Sequence, residues 1–286
     1  MADFLTPTWD SLFKERNKGG EIMSDIKDLL DTIIQGDCLE IMKTMESNCI
    51  DLIITSPPYD NLRDYKGYIF NFEGIAKELY RITKNGGVVV WIVGDATIKG
   101  NETGTSFKQA LYFKEIGFNL HDTMIWAHRT LPQNGNRYEP AFEYMFVLSK
   151  GVPKTFNPLK SKRKYNDTRT DKTFHRDKKG EFTHNVFHQQ DEVVIGNVWE
   201  ISNRGQDKIA YEHPAIFPEK LAENHILSWS NEGDIVLDPM AGSGTTLKMA
   251  KKNNRKYIGI EISFEYIDII NKRLNFEILD FREKDD

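Results

Sequence analysis

The sequence predicts an α/β fold, and three observations predict it. Short apolar runs bounded by turn residues alternate with stretches whose apolar residues keep helical spacing. The runs at 50–54 and 88–93 are apolar almost throughout, as strands covered on both faces are. Several runs end in a turn that carries glycine, proline or an acid, where ligands of such folds bind.

The elements follow in order. Residues 1–30 form a polar lead-in with some helical pattern around 26–30. Residues 33–35 read as a strand that ends at Gly36-Asp37, and Asp37 can cap a helix over 39–45. A second strand covers 50–54. Phe72, Ile75, Ala76, Leu79 and Ile82 then keep helical spacing, until Asn85-Gly86-Gly87 is expected to stop the helix. Residues 88–93 form a strand, 106–116 a helix, and 121–126 and 143–149 two strands around a Pro- and Asn-rich loop. After Gly151 periodicity disappears until about Val193. From Phe217 the alternation returns and runs to Leu274, with strands at 234–238 and 256–261. The domain reading is therefore a lead-in at 1–30, one α/β half at 31–150, an irregular insert at 151–210 and a second half at 211–286.

Composition narrows the classes. A chain of 286 residues fits one domain with an insertion. No stretch approaches the twenty apolar residues of a membrane span, and no basic-then-apolar leader opens the sequence, so neither a membrane partner nor secretion is expected. Cys38 and Cys49 suggest no disulfide framework, and the scattered histidines give no zinc-ligand spacing, so no metal is expected in what reads as a cytoplasmic protein. Net charge is −5, but nine basic residues stand against three acidic ones between Lys160 and Lys179. Such a run is ordinarily a solvated loop; on a protein that acts on nucleic acid it becomes a phosphate-contacting strip.

Two motifs carry chemistry. Thr55-Ser56-Pro57-Pro58-Tyr59 follows the strand at 50–54 directly. Two prolines cannot continue a central strand, and both fix φ, so the loop is stiff. A hydroxyl, a rigid carbonyl and an aromatic face suit a planar ring with an exocyclic NH2; a Pro-rich turn with a core tyrosine is the plainer alternative. The second motif, Asp238-Pro239-Met240-Ala241-Gly242-Ser243-Gly244-Thr245-Thr246, is a glycine-rich turn between a strand and a helix start. A phosphate loop would need Lys where Thr245 stands, and a dinucleotide fingerprint would need glycine at Leu247. The Asp238 carboxylate would repel pyrophosphate but welcome an ammonium group. Glu261, at the end of the next strand, is placed to grip two ribose hydroxyls. A nucleoside with a cationic, amino-acid-like arm answers both, and S-adenosylmethionine meets that description.

With these residues the chain resembles the amino-methylating DNA methyltransferases, which modify N4 of cytosine or N6 of adenine. Ser56-Pro57-Pro58-Tyr59 is similar to that family's catalytic motif, and residues 238–246 are similar to its cofactor loop, with Met240 where Phe is usual. The catalytic motif comes first, as in the circularly permuted β subgroup. The resemblance spans about residues 35–274 and implies a Rossmann-like S-adenosylmethionine-dependent methyltransferase core with a small irregular target-recognition insert. It implies catalytic roles for Ser56, Pro57, Pro58 and Tyr59. It implies cofactor contacts for Asp37, Phe217, Asp238, Pro239, Met240, Gly242, Gly244, Thr245 and Glu261. Phosphate contacts fall to Lys160, Lys162, Arg163, Lys164, Arg169 and Arg176.

The reaction it implies is an in-line displacement, in which the amine takes the sulfonium methyl and S-adenosylhomocysteine leaves. The target base is flipped out of double-stranded DNA at a short recognition sequence. Ser at position 56 accompanies N4-cytosine methylation in the family, with N6-adenine as the alternative. No cysteine follows a proline in the catalytic motif, against carbon-5 methylation. A silent DNA-binding regulator, or an enzyme acting on RNA or protein amides, are the other readings. A cognate restriction endonuclease and a homodimer are the further partners that the family suggests.

Overall fold

The computed structural model describes residues 25–58, 70–128, 138, 140–162, 171–176, 179–187, 191–202 and 207–282; for 171–176, 182–187 and 276–282 it describes the backbone alone. Most of the lead-in lies outside them, and its end forms a 3-10 turn at Ile26–Leu29 that buries Leu29.

In chain order the strands are β1 (Thr32–Gln35), β2 (Ile50–Thr55), β3 (Thr83–Val93), β4 (Thr97–Ile98), β5 (Asn101–Glu102), β6 (Asn119–Ala127) and β7 (Phe142–Ser149). Then come β8 (Lys160–Lys162), β9 (Asp171–Arg176), β10 (Phe182–Phe187), β11 (Glu192–Val194), β12 (Val198–Glu200), β13 (Ile235–Asp238) and β14 (Lys256–Glu261). The helices are α1 (Cys38–Lys43), α2 (Phe72–Ile82), α3 (Thr105–Glu115), α4 (Glu219–Trp229), α5 (Thr245–Lys252) and α6 (Phe264–Arg282).

One sheet of eight strands, in the order β1-β14-β13-β2-β3-β7-β6-β12, organises the larger unit. All of its pairings are parallel except those made by β7, which runs against both neighbours. The fold is the α/β fold that the alternation predicted, with the Rossmann-like core that the resemblance implied, and its sheet is mostly parallel. Period-two alternation divides the strand residues between two buried faces. Ile53, Val89, Trp91, Phe146 and Leu237 join α1, α2 and α3 in one apolar cluster. Their neighbours Leu52, Val90, Met145 and Val236 are buried as well, which accounts for the unbroken apolar runs. On that second face, the wholly buried His225 of α4 meets Met145 Sδ at 3.2 Å, and burial holds its imidazole neutral, with its pKa lowered to about 3.

Aromatic packing fixes α2 and α3 against the sheet. Phe72 and Trp91 both make edge contacts with Phe113, at centroid distances of 5.3 and 5.1 Å. The buried Trp91 indole N–H is satisfied by Gln109 Oε1 at 2.8 Å.

Two readings are corrected. Asn85-Gly86-Gly87 does not stop the helix: α2 ends at Ile82 and β3 begins at once. The glycines instead form an irregularity, for Ile50 pairs with Thr83 while Leu52 pairs with Val88. Gly86, at φ 82°, donates its N–H to Lys150 O at 2.6 Å, so the turn is held by β7's exit rather than left as a loop. The stretch after Gly151 is also more ordered than its lack of periodicity suggests. Pro158–Gly196 forms a small unit of its own, in which β8 pairs with β11 and β9 with β10, both antiparallel. This unit is shorter than the stretch 151–210 read from sequence, since β12 belongs to the large sheet through β6. Among the described residues no helix is long and apolar enough to cross a membrane.

Candidate active site

Four parallel strands end on one edge of the sheet, and their exits line one cavity of about 790 Å³. Gly36, Asp37 and Cys38 come from the exit of β1, and Ser56, Pro57 and Pro58 from that of β2. Pro239 to Ser243 follow β13, and Glu261 ends β14. The segment before α4 adds His213 and Phe217, and the start of α6 adds Tyr266. Residues 183 positions apart in sequence are thereby brought together, because the strand order sets β2 beside β13.

The residues predicted from sequence fall into four groups. Asp37, Ser56, Pro57, Pro58, Phe217, Pro239, Met240, Gly242, Thr245 and Glu261 all line the cavity. Asp238 and Gly244 do not: Asp238 is 1% exposed and sits beneath the turn. Its Oδ1 accepts from the Thr55 hydroxyl at 2.9 Å and from Met240 N at 3.2 Å. Burial pushes its carboxyl up to about 6, against the hydrogen bonds from Thr246 and Thr55. Tyr59, Arg163, Lys164 and Arg169 lie outside the described residues. Arg176 ends β9 and pairs with Phe182, while Lys160 and Lys162 are exposed on β8.

Local forces set each group. Asp37 caps α1, with Oδ1 accepting from Leu39 N at 2.7 Å and Glu40 N at 3.3 Å. Among the described residues its Oδ2 takes no bond and remains available to a donor. Glu261 is 7% exposed; its Oε2 accepts from Gly242 N at 2.8 Å and its Oε1 from Ser263 N at 2.8 Å. Burial nevertheless pushes its carboxyl up to about 7. The neighbouring Cys38 thiol is pushed up to about 12, first by burial and then by Asp37, so it stays neutral and is no nucleophile.

The turn itself needs its glycines. Gly242, at φ 52°, passes so close to His213 that a Cβ would meet Nε2 at 3.1 Å. Gly244, at φ 76°, caps α5, and a Cβ there would meet Ile270 Cγ2 at 2.8 Å. Sequence reasoning missed His213, Tyr266, Trp126, Glu143, Tyr211 and Phe70 as lining residues. Of these, His213 Nδ1 accepts from the Ala215 N–H at 3.1 Å.

The site fits a nucleoside with an amino-acid arm. It has the volume of a small-molecule pocket, rim carboxylates at Asp37 and Glu261, and the apolar faces of Phe217 and Met240. Such a cavity on a Rossmann-like sheet suits a nucleoside ligand, and the turn beside it is not a phosphate loop. Among the described residues no cluster of His, Cys, Asp or Glu could hold a metal ion.

Comparison with known proteins gives the family. The DNA methylase family model for N6 and N4 enzymes matches residues 50–272. The chain is 59% identical over 251 residues to the orphan methyltransferase M.BamHII of Bacillus amyloliquefaciens, covering 83% of this chain and 94% of that protein. It is 31% identical over 272 residues to the type II methyltransferase M.HpaI of Haemophilus parainfluenzae, covering 89% and 77%. Among solved structures, M1.HpyAVI in complex with S-adenosylmethionine aligns with a TM-score of 0.56 at 24% identity, over 85% of this chain and 98% of that one. The cytosine-N4-specific PvuII DNA methyltransferase aligns at 0.61 and 21% identity, over 91% and 96%. The chain belongs to the DNA methylase family of amino-methyltransferases. Its methyl donor is S-adenosylmethionine, and DNA is its substrate.

Proposed function

We propose that this protein methylates the exocyclic N4 of cytosine, in a base flipped out of double-stranded DNA at a short recognition sequence. The observation that carries the reading is Ser56: a neutral hydroxyl, stiffened by Pro57 and Pro58, on the rim of the cavity that the glycine-rich turn also lines. S-adenosylmethionine, when bound, supplies a methyl group made electrophilic by its sulfonium sulfur. Asp37 accepts from its adenine amino group, Glu261 accepts from its ribose hydroxyls, and Phe217 and Met240 pack against it. Asp238 acts through the turn, by holding Met240 N and Thr55.

The exocyclic amine is a poor nucleophile because its lone pair is delocalised into the ring. The Ser56 hydroxyl and the Pro57 carbonyl accept hydrogen bonds from its two N–H groups and return that lone pair to nitrogen; once the methyl has transferred, the surplus proton leaves to water. Tyr59 stacks on the base, a contact of about 1–3 kcal/mol in comparable sites. Most of the acceleration comes from positioning and fixed charge.

The unit at Pro158–Gly196 reads the target, with Lys160, Lys162, Arg163, Lys164, Arg169 and Arg176 on phosphates. The order of the two motifs favours the permuted β subgroup. The protein works in the cytoplasm, as part of restriction and modification. The type II relative M.HpaI favours a paired endonuclease, while M.BamHII, named an orphan, favours a solitary enzyme. N6-adenine is the second reading, favoured by 30% identity over 262 residues to the DNA adenine methyltransferase YhdJ of Escherichia coli.

Transfer of tritiated methyl from S-adenosylmethionine to unmethylated DNA tests the mechanism. Wild type labels DNA, and Ser56→Ala labels it on the order of a hundredfold more slowly. A folded Ser56→Ala at wild-type rate removes Ser56 from the mechanism, and an unlabelled product from wild type favours a silent DNA-binding regulator.

A further inference from the structure

The glycine-rich turn is held from behind as firmly as it is shaped from the cavity side. Arg273 of α6 is 1% exposed, and its guanidinium reaches out in three directions. Nη1 donates to Ser243 O at 2.6 Å, Ser243 Oγ at 3.1 Å and Thr245 Oγ1 at 3.0 Å. Nε donates to Asp207 Oδ2 at 2.9 Å and Nη2 to Glu219 Oε1 at 2.8 Å. Lys248 of α5 reaches the same two carboxylate oxygens at 3.1 and 2.9 Å. Burial raises the Asp207 carboxyl, but Arg273, the Ala210 N–H and Lys248 together outweigh it and hold it down at about 2. Two cations and two anions alternate, so the buried charges balance.

One arm ends on the cavity wall, and the other two end on residues that lead into it. Ser243 and Thr245 line it directly. Glu219 opens α4 two residues after Phe217. Asp207 Oδ1 accepts from Ala210 N at 2.7 Å, opening the 3-10 turn Ala210–Glu212 that leads to His213. One planar fork therefore ties the turn to the segment that carries His213 and Phe217. An ammonium has only three donors, all on one atom at the end of a flexible stem, and cannot reproduce the five contacts of this rigid fork. Stability alone does not require such a network, since apolar side chains of similar volume often replace buried ion pairs without loss. Orientation does require it.

We infer that Arg273 is a positioning residue for the methyl donor: it fixes the Ser243 peptide and the Thr245 hydroxyl before the donor arrives, so that the turn binds without reorganising. This rests on the reading of the turn as the donor's seat. The test is calorimetric titration of the purified chain with S-adenosylmethionine, in the absence of DNA, for wild type, Arg273→Lys and Asp207→Asn. Arg273→Lys keeps the charge but loses the fork, and its Kd is expected to rise about tenfold with stoichiometry near that of wild type. A merely structural staple predicts the opposite split, a reduced fraction of competent protein with unchanged Kd. A Kd within twofold of wild type in folded Arg273→Lys overturns the inference. If that variant does not fold, Asp207→Asn decides, because Asp207 is not part of the cavity wall; a several-fold rise supports the inference and an unchanged Kd overturns it. Failure of the wild type to bind would instead overturn the seat itself.

Discussion

The Thr55 hydroxyl donates to the Asp238 carboxylate at 2.9 Å, joining the last residue of β2 to the last of β13. Thr55 directly precedes Ser56, and Asp238 directly precedes the glycine-rich turn. Both are buried, so the bond sets the distance between the Ser56 loop and the glycine-rich turn in a region that excludes water. The two motifs that the sequence holds far apart are in physical terms a single construction.

Thr55→Val keeps the shape of the side chain and removes its donor. It leaves a buried carboxylate short of one partner, and a loss of about 1–3 kcal/mol of stability is expected. Urea denaturation with an unchanged m-value is the check. The same variant should slow methyl transfer more than its small change in volume would suggest.

Glu261 should give donor binding a pH dependence. Its folded carboxyl titrates near 7, against 4.5 for an ordinary glutamate. The folded protein thus keeps this proton longer than the unfolded chain, so the donor-free protein loses stability as pH rises from about 4.5 through 7. Ribose hydroxyls select the ionised form, so affinity for S-adenosylmethionine should rise up to tenfold per pH unit below 7 and level off above it. Calorimetry between pH 5.5 and 8.5 checks the slope (a range chosen on the order of the shift), and Glu261→Gln should flatten it.

Gly244 and Gly104 make a matched pair. Both cap a helix in the left-handed region, at φ 76° and 64°. A Cβ at Gly104 would meet nothing, whereas one at Gly244 would meet Ile270. Gly104→Ala should cost only backbone strain, about 1–2 kcal/mol. Gly244→Ala should cost more and also weaken donor binding, because the turn must shift. Melting temperatures and donor Kd for both variants separate strain from contact.

The sheet and its helices were legible in the sequence because their signals are local. Runs such as 88–93 declare a strand covered on both faces, and Phe72 to Ile82 declare one helical stripe. The glycines at 86 and 87 misled because a bulge and a helix stop use the same residue. Short strands such as β8 and β11 carry too few residues for a period to emerge. Asp37, Ser56, Pro57, Pro58, Pro239, Met240, Gly242 and Glu261 were legible as lining residues, since each stands at or just after a strand exit. The clamp of Arg273, Asp207, Lys248 and Glu219 was not, because a charge in a sequence gives no sign of which distant charge it will meet.

The most direct test of the central claim is nucleoside mass spectrometry of unmethylated plasmid after incubation with the purified protein and S-adenosylmethionine. N4-methylcytosine at a limited set of sites is the expected product. N6-methyladenine in its place would contradict the role given to Ser56 in choosing the base while leaving the fold and the donor's seat intact.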